Sequence, residues 1–265
     1  MKKYLSTALV VSMACMLLCA GCTSHPRLKV STLSNDDNLR KHASEVWSIE
    51  KPAELTEPDR RRAAIVDFAI EYATHEGADL GAGLKLALPT VLYHSFVESM
   101  RELGSDPIAL SQVTQSAAYE KLEGVHYAAA HLAASRHDSD SADPVAGTYY
   151  PANGLQCLDS ASASNKGTIQ ELLKELDADY ALKIRLRVSI YKGHATIEPG
   201  STFILASAKG TAHGEMKIAL VSEETVYEKG EDSKTFAVNS KLFTQALENL
   251  FPPCISMAQV VVGWR

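Results

Sequence analysis

Residues 182–190 read Leu-Lys-Ile-Arg-Leu-Arg-Val-Ser-Ile, with an apolar side chain at every second position. Lys183, Arg185 and Arg187 stand between the apolar residues. Because side chains on a strand alternate between its two faces, this stretch predicts a β-strand with one buried face and one basic, solvated face. We expect the fold to be built on a sheet that contains this strand.

A helix is predicted immediately before this strand. Thr168 and Glu171 have the spacing of a capping box, in which each side chain bonds a backbone N–H of the other residue. Apolar residues then follow at helical spacing, and Asp177-Ala178-Asp179 forms the exit turn. The order of helix, short turn and strand is typical of an α/β domain.

The remaining patterned segments predict elements that would pack with this helix and strand. They are a strand at 63–72, a helix at 92–103 closed by Gly104, strands at 202–207 and 216–222, a helix at 242–250 and a closing strand at 259–263. The sequence therefore predicts an α/β fold, a mixed β-sheet with amphipathic helices packed on it, in one domain over residues 59–265.

The N-terminus has the layout of a secretory signal peptide. Lys2 and Lys3 precede an apolar stretch, and the small residues Ala20 and Gly21 lead into Cys22. This ending resembles the bacterial lipoprotein type, in which residues 1–21 are removed and Cys22 becomes the lipidated first residue. The resemblance implies a lipid-anchored, periplasmic protein, and Thr rather than Asp at position 23 implies the outer membrane of a Gram-negative bacterium.

Two other interpretations of the N-terminus remain open, namely ordinary cleaved secretion and an uncleaved anchor. The apolar stretch is shorter than the 20 or so residues that a membrane-spanning helix needs, and polar residues 23–25 follow at once. Without residues 1–21 the chain keeps 24 basic and 32 acidic residues, a net charge of −8. Such an acidic chain has no long-range attraction for nucleic acid, and none is expected as a partner.

Residues 22–58 predict a lipidated cysteine followed by a flexible tether. The segment is polar and charged, and Pro26, Pro52 and Pro58 interrupt it. A flexible chain of about 36 residues has an end-to-end distance of roughly 30–35 Å. A tether of this length would hold the folded domain away from the membrane surface.

Cys157 and Cys254 are the cysteines that remain after the signal and the lipidated residue are set aside. An even number in an oxidising compartment suggests one disulfide. The other possibility is a pair of buried, inert thiols, and the sequence does not decide between them.

The arrangement of strand, helix, Asp-Ala-Asp-Tyr and long alternating strand resembles a periplasmic domain of several envelope lipoproteins. In the curli-secretion lipoprotein, the activator lipoproteins of penicillin-binding proteins and the N-terminal domain of TolB, a first strand ending in Phe precedes a helix. Residues 63–68 and 90–103 match that order here. The resemblance implies a binding or assembly role.

No motif predicts catalysis, a metal site or a cofactor. The glycines of residues 77–85 lack the lysine and hydroxyl positions of a phosphate-binding loop. On a helix, His126 and His137 would stand about 16 Å apart, too far for one zinc ion. Asp67 and Glu71 are expected on a solvated or helix-contacting strand face.

We therefore predict a lipid-anchored envelope protein with a non-catalytic binding or assembly role. Its expected contacts are the membrane, through the lipid, and an envelope protein, with a homo-oligomer as a further possibility. Lys183, Arg185 and Arg187 are the candidate partner-binding face. The alternative is a hydrolase acting on envelope material through loop residues in 77–85 or 137–159, because long loops commonly carry function.

Overall fold

The computed structural model describes most of the chain after the predicted signal. The described residues are 26–58, 60–73, 80, 82–124, 149–158, 163–229 and 236–264. The predicted signal peptide, Cys22, the glycines at 77 and 81 and the Ala-rich segment 126–136 lie outside them. Within the described part, the α/β class predicted from the sequence is confirmed.

The described chain contains both strands and helices, and its longest run of consecutive strands lies between residues 180 and 238. In order they are β1 Arg27–Lys29, a 3-10 turn Val30–Leu33, α1 Asp36–Val46, β2 Trp47–Glu50, β3 Arg62–Tyr72, α2 Ala82–Glu102, β4 Asp106–Pro107, α3 Leu110–Thr114, α4 Ala117–Glu120, β5 Tyr149–Pro151, α5 Ala163–Glu175, β6 Tyr180–Tyr191, β7 His194–Ile197, β8 Thr202–Ser207, β9 Gly210–Met216, β10 Ala219–Thr225, β11 Tyr227–Lys229, β12 Phe236–Val238, α6 Ser240–Glu248 and α7 Phe251–Val262.

The quoted strand, β6, lies at the centre of the main sheet. On one side it pairs in parallel with β3, and on the other it pairs antiparallel with β8 along its first half and with β7 along its second. β9 and β10 continue the sheet beside β8 and β7, and β2 and β1 form the far edge. Short β4 and β5 pair with the outer side of β3.

The β7–β8 and β9–β10 pairs are each one long strand with an interruption in its middle. The first interruption is residues 198–201 and the second is residues 217–218. They meet where Gly200 N donates to Met216 O at 2.9 Å and Met216 N donates to Ser201 O at 2.8 Å. Gly200 has φ +83°, and a Cβ there would come within 3.0 Å of the Arg187 guanidinium, so a residue without a side chain suits the turn.

One face of the sheet is apolar and is covered by helices. Phe68 of β3 contacts Tyr93 and Phe96 of α2 with ring centroids 5.8 and 5.5 Å apart. Trp47 packs edge-on against Phe203 of β8 at 5.1 Å, and α7 packs on α1, α2 and β2. The alternate apolar residues of β6, from Leu182 to Ile190, are buried on this side.

β3 contains a bulge that changes which of its residues share a face. Ile65 pairs with Leu182 but Asp67 pairs with the next residue, Lys183, so Val66 is an extra residue in β3. Strict alternation over 63–72 would put Val66 and Phe68 on one face. In the structure they contact opposite sides of the sheet, Val66 towards α5 and Phe68 towards α2.

The predicted tether over residues 22–58 is wrong for its described part. Residues 27–50 form β1, α1 and β2 of the fold, and β1 and β2 hydrogen-bond to the sheet. The segment has few apolar residues, but those few are buried in the core: Leu33, Leu39, Ala43, Val46, Trp47 and Leu55. Its polar composition reflects one exposed surface layer rather than a lack of structure.

Two expectations, one near the C-terminus and one before β6, also differ from the structure. Residues 251–262 form helix α7, so the predicted strand at 259–263 is wrong. Pro252 and Pro253 begin this helix, because proline is tolerated in a first turn whose N–H groups have no intrahelical partner. Helix α5 begins at Ala163, so Thr168 lies inside it and does not cap it.

We expect Trp47→Ala to destabilise the protein by about 3–5 kcal/mol, as for a fully buried aromatic side chain. The reason is that Trp47 is buried and packs against Phe203. Urea unfolding followed by circular dichroism measures the change. The matched control is Ser48→Ala, at an exposed neighbouring position of the same strand; equal stability of the two variants would mean that residues 27–50 are a tether after all.

Candidate functional site

The three basic side chains of β6 do not form an exposed face. Lys183 is 8 % exposed, and Arg185 and Arg187 are partly buried. Leu158 lies over this side of the sheet, and its carbonyl accepts hydrogen bonds from Lys183 Nζ and from Arg185 Nη2, the latter at 2.7 Å. The prediction of a solvated basic face is therefore wrong, because a central strand is covered on both sides.

Asp67 is the acidic partner of two of these cations. Its Oδ2 lies 3.6 Å from Lys183 Nζ and 3.5 Å from Arg185 Nη2, and it accepts a hydrogen bond from Leu158 N at 2.9 Å. Asp67 is completely buried, and its Oδ1 has no hydrogen-bond partner among the described residues. The expectation for Asp67 is a solvated or a helix-contacting face; the solvated alternative is wrong, and the contacts shown for its carboxylate are with Leu158 N, Lys183 and Arg185.

Burial and ion pairing oppose each other in this cluster. Burial raises the pKa of Asp67 above its usual value, and the nearby Arg185 and Lys183 counteract that rise. Burial lowers the pKa of Lys183, against the attraction of Asp67. Removing either partner from such a cluster leaves an uncompensated buried charge, which is strongly destabilising.

Further ion pairs continue along the same face of β6. Arg187 Nε lies 2.9 Å from Glu71 Oε2. Beyond it, buried Glu198 accepts a hydrogen bond from Ser189 Oγ at 2.5 Å and pairs with Arg27 at 3.3 Å. Most of the charge on this face is therefore neutralised inside the fold.

A cleft opens beside Lys183, between α5 and the sheet. Its volume is about 340 Å³. The charged or titratable groups that line it are Lys166, Lys183 and His213, and the described lining contains no carboxylate. The rest of the lining is small, polar or apolar: Val66, Leu158, Asn165, Ile169, Gln170, Ala181, Ile204, Ala206 and Thr211. The cleft is thus lined by basic, polar and apolar side chains, and the charge of Lys183 in its wall is partly balanced by Asp67.

A second cavity lies on the opposite face, between the sheet and α7. It is lined mostly by apolar side chains, Trp47 and Trp264 among them, and its volume is about 80 Å³. An engineered cavity of about 150 Å³ is the size known to bind benzene. We therefore assign the smaller space to imperfect core packing rather than to a ligand.

Cys157 and Cys254 do not form a disulfide in the structure. Cys157 lies near Lys183 on the basic side of the sheet, whereas Cys254 belongs to α7 on the apolar side. A disulfide needs Cβ atoms within about 4.5 Å, and here the sheet separates the two residues. Both thiols are buried, and burial raises the pKa of Cys254 to about 12.

The loops of the hydrolase alternative lie largely outside the described residues. His137 and Asp159 are among the residues not described, and the described parts are Leu80, residues 82–85 and residues 149–158. No group of His, Cys, Asp and Glu in the described part could hold a metal ion. Nor does any helix there have the length and apolarity needed to cross a bilayer.

In comparisons with known proteins, no family profile, curated protein or solved structure matches this chain.

Sequence reasoning found the basic residues of the cluster but missed how they are paired. Asp67 and Glu71 are four residues apart on one predicted strand, and Lys183 and Arg187 have the same spacing on another. Two strands with complementary charges at equal spacing are what a parallel pair would bring together. This equal spacing of opposite charges was the sequence feature that could have predicted the pairing. The bulge in β3 lies just before Asp67 and leaves the spacing intact.

We expect Arg185→Met to lower the free energy of unfolding by about 3 kcal/mol, the order for breaking a buried ion pair. The substitution leaves Asp67 buried with one cation and removes a donor from the Leu158 carbonyl. Chemical denaturation measures the loss. Lys41→Met, at an exposed position of α1, is the control and should change stability by no more than about 0.5 kcal/mol. A change equally small for Arg185→Met would restore the solvated-face interpretation.

Proposed function

We propose that this chain is a bacterial lipoprotein held at the periplasmic face of the outer membrane by acyl chains on Cys22. Its α/β domain binds an acidic group of another cell-envelope component and catalyses no reaction. The signal layout of residues 1–22 supports the anchor. More than one acyl chain is required because a single chain gives only marginal membrane binding.

The observation that carries the binding role is the basic cleft under α5. Lys166 is exposed at its rim and Lys183 lies deeper in its wall. The chain as a whole has a net charge of −6, whereas the described lining of the cleft contains two lysines and no carboxylate. A carboxylate or phosphate attached to an apolar group fits such a lining.

Lys183 would act in this cleft as a fixed positive charge. Its Nζ donates to the Leu158 carbonyl and lies beside Asp67, so both contacts hold the ammonium group in one place. A charge that is already oriented loses little conformational entropy when a ligand binds. Of the proposed partner-binding residues, Lys183 is the one that borders the cleft, while Arg185 and Arg187 support it from within the ion-pair network.

We expect Cys22→Ser to move the protein from the membrane fraction to the soluble fraction, because it removes the atom that carries the lipid. Fractionation of the envelope and mass spectrometry of the purified chain measure the effect. Cys19→Ser is the control, since residue 19 is removed with the signal, and it should leave the protein in the membrane. Membrane retention of the Cys22 variant would contradict the proposed anchor.

We expect a photoreactive amino acid at Gln170, inside the cleft, to form a specific adduct with an envelope component in intact cells. The same group at Gln112, exposed on α3 away from the cleft, is the matched control and should not form this adduct. Lys166→Glu should weaken the adduct about tenfold, because reversing one charge near a bound anion costs at least about 1.4 kcal/mol.

Lys174→Glu, an exposed position on the same helix, should leave that adduct unchanged. An adduct of equal yield in the Lys166→Glu and Lys174→Glu variants would contradict the anion-binding role. Absence of any cleft-specific adduct at Gln170 would contradict binding at this cleft.

A further inference from the structure

The chain enters the fold in the middle of one sheet edge. Pro26, the first described residue, accepts a hydrogen bond from Ala219 N at 3.1 Å, and β1 continues from there along β10. At the interruption of residues 217–218, Lys217 N donates to Val46 O at 2.7 Å, and β2 runs from there along β9. β1 and β2 thus flank the point where the chain emerges, and we call them together the anchor edge.

Very little chain separates this edge from the proposed lipid. Cys22 and Pro26 are four residues apart, and four residues span at most about 14 Å whatever their conformation. A folded domain of this size has a radius of gyration of about 18 Å. The link is therefore shorter than the domain's radius of gyration, and Pro26 stays within about 14 Å of the residue that would carry the lipid.

The distribution of charge is compatible with that proximity. Residues 26–51 contain five basic and four acidic residues, whereas residues 52–265 contain 19 basic and 28 acidic residues. Charges matter at a lipid surface within a screening length of about 8 Å at physiological salt. The segment nearest the anchor would not be repelled by anionic phospholipid, although most of the chain would be.

We propose that the anchor edge lies against the phospholipid surface that holds Cys22, so that the domain has one preferred side towards the membrane. The proposal rests on the proposed lipidation and adds the orientation that the short link imposes. The opposite edge, formed by β4 and β5, is five strand-to-strand steps away, or about 24 Å farther from the lipid.

The test measures the distance of chosen positions from lipid headgroups. The purified lipidated chain is placed in phosphatidylcholine vesicles with 30 % phosphatidylglycerol and headgroup nitroxide lipids that quench fluorescence. Single fluorescent labels are attached at Ser31→Cys and Ser48→Cys, both exposed near the anchor edge, and at Gln112→Cys near the opposite edge. The buried Cys157 and Cys254 should not react with the label.

We expect the labels at positions 31 and 48 to be quenched at least twofold and the label at position 112 to be nearly unaffected. A second variant carries twenty Gly/Ser residues inserted between His25 and Pro26, which lengthens the link to roughly 25–30 Å. In that variant, quenching at positions 31 and 48 should fall towards the value at position 112.

Equal quenching at all three positions, or unchanged quenching after the insertion, would overturn the orientation and leave the lipoprotein assignment standing. Mass spectrometry of the same sample separates the two proposals. A purified mature chain without acyl groups at Cys22 would overturn the anchor and, with it, the orientation.

Discussion

The parallel pairing of β3 with β6 places acidic side chains of β3 beside basic side chains of β6 on one face of the sheet. The packing of that face depends on these ion pairs. Asp67 lies beside Lys183 and Arg185, and Glu71 beside Arg187. A central strand with three basic residues can be covered only if each charge finds a partner, because an isolated buried charge is far too costly. The Leu158 backbone completes the arrangement by accepting from both cations and donating to Asp67.

This constraint also explains the shape of the surface above the sheet. Leu158 lies over the ion pairs of Asp67, Lys183 and Arg185, whereas α5 stands beside them and leaves the cleft at Lys183. The charge network is thus both a structural element and the inner wall of the proposed binding site. A substitution that disrupts the ion-pair network would lower the stability of the fold and, through it, weaken binding at the cleft.

The N-terminal segment shows why composition is a poor guide to order in a surface layer. Residues 27–50 bury a few apolar side chains and expose many polar ones. The overall composition of the segment is therefore as polar as that of a flexible linker. Hydrogen bonding of β1 and β2 to strands more than 160 residues away makes the segment part of the sheet. Because the sheet includes it, an anchor on Cys22 would hold the domain close to the lipid rather than on a long tether.

Local sequence determined β6, β3, β8, the second halves of α2 and α5, and α6, together with the α/β class they imply. Only the tertiary structure decided the rest. The mostly apolar stretch 251–262 has no period that separates strand from helix, and in the structure it is a helix packed on α1, α2 and β2. The bulge at Val66, the pairing of Asp67 with Lys183 and the separation of the two cysteines depend on which strands are neighbours. Residues that are distant in sequence come together only through the packing of whole elements, and a local sequence pattern does not specify which elements become neighbours.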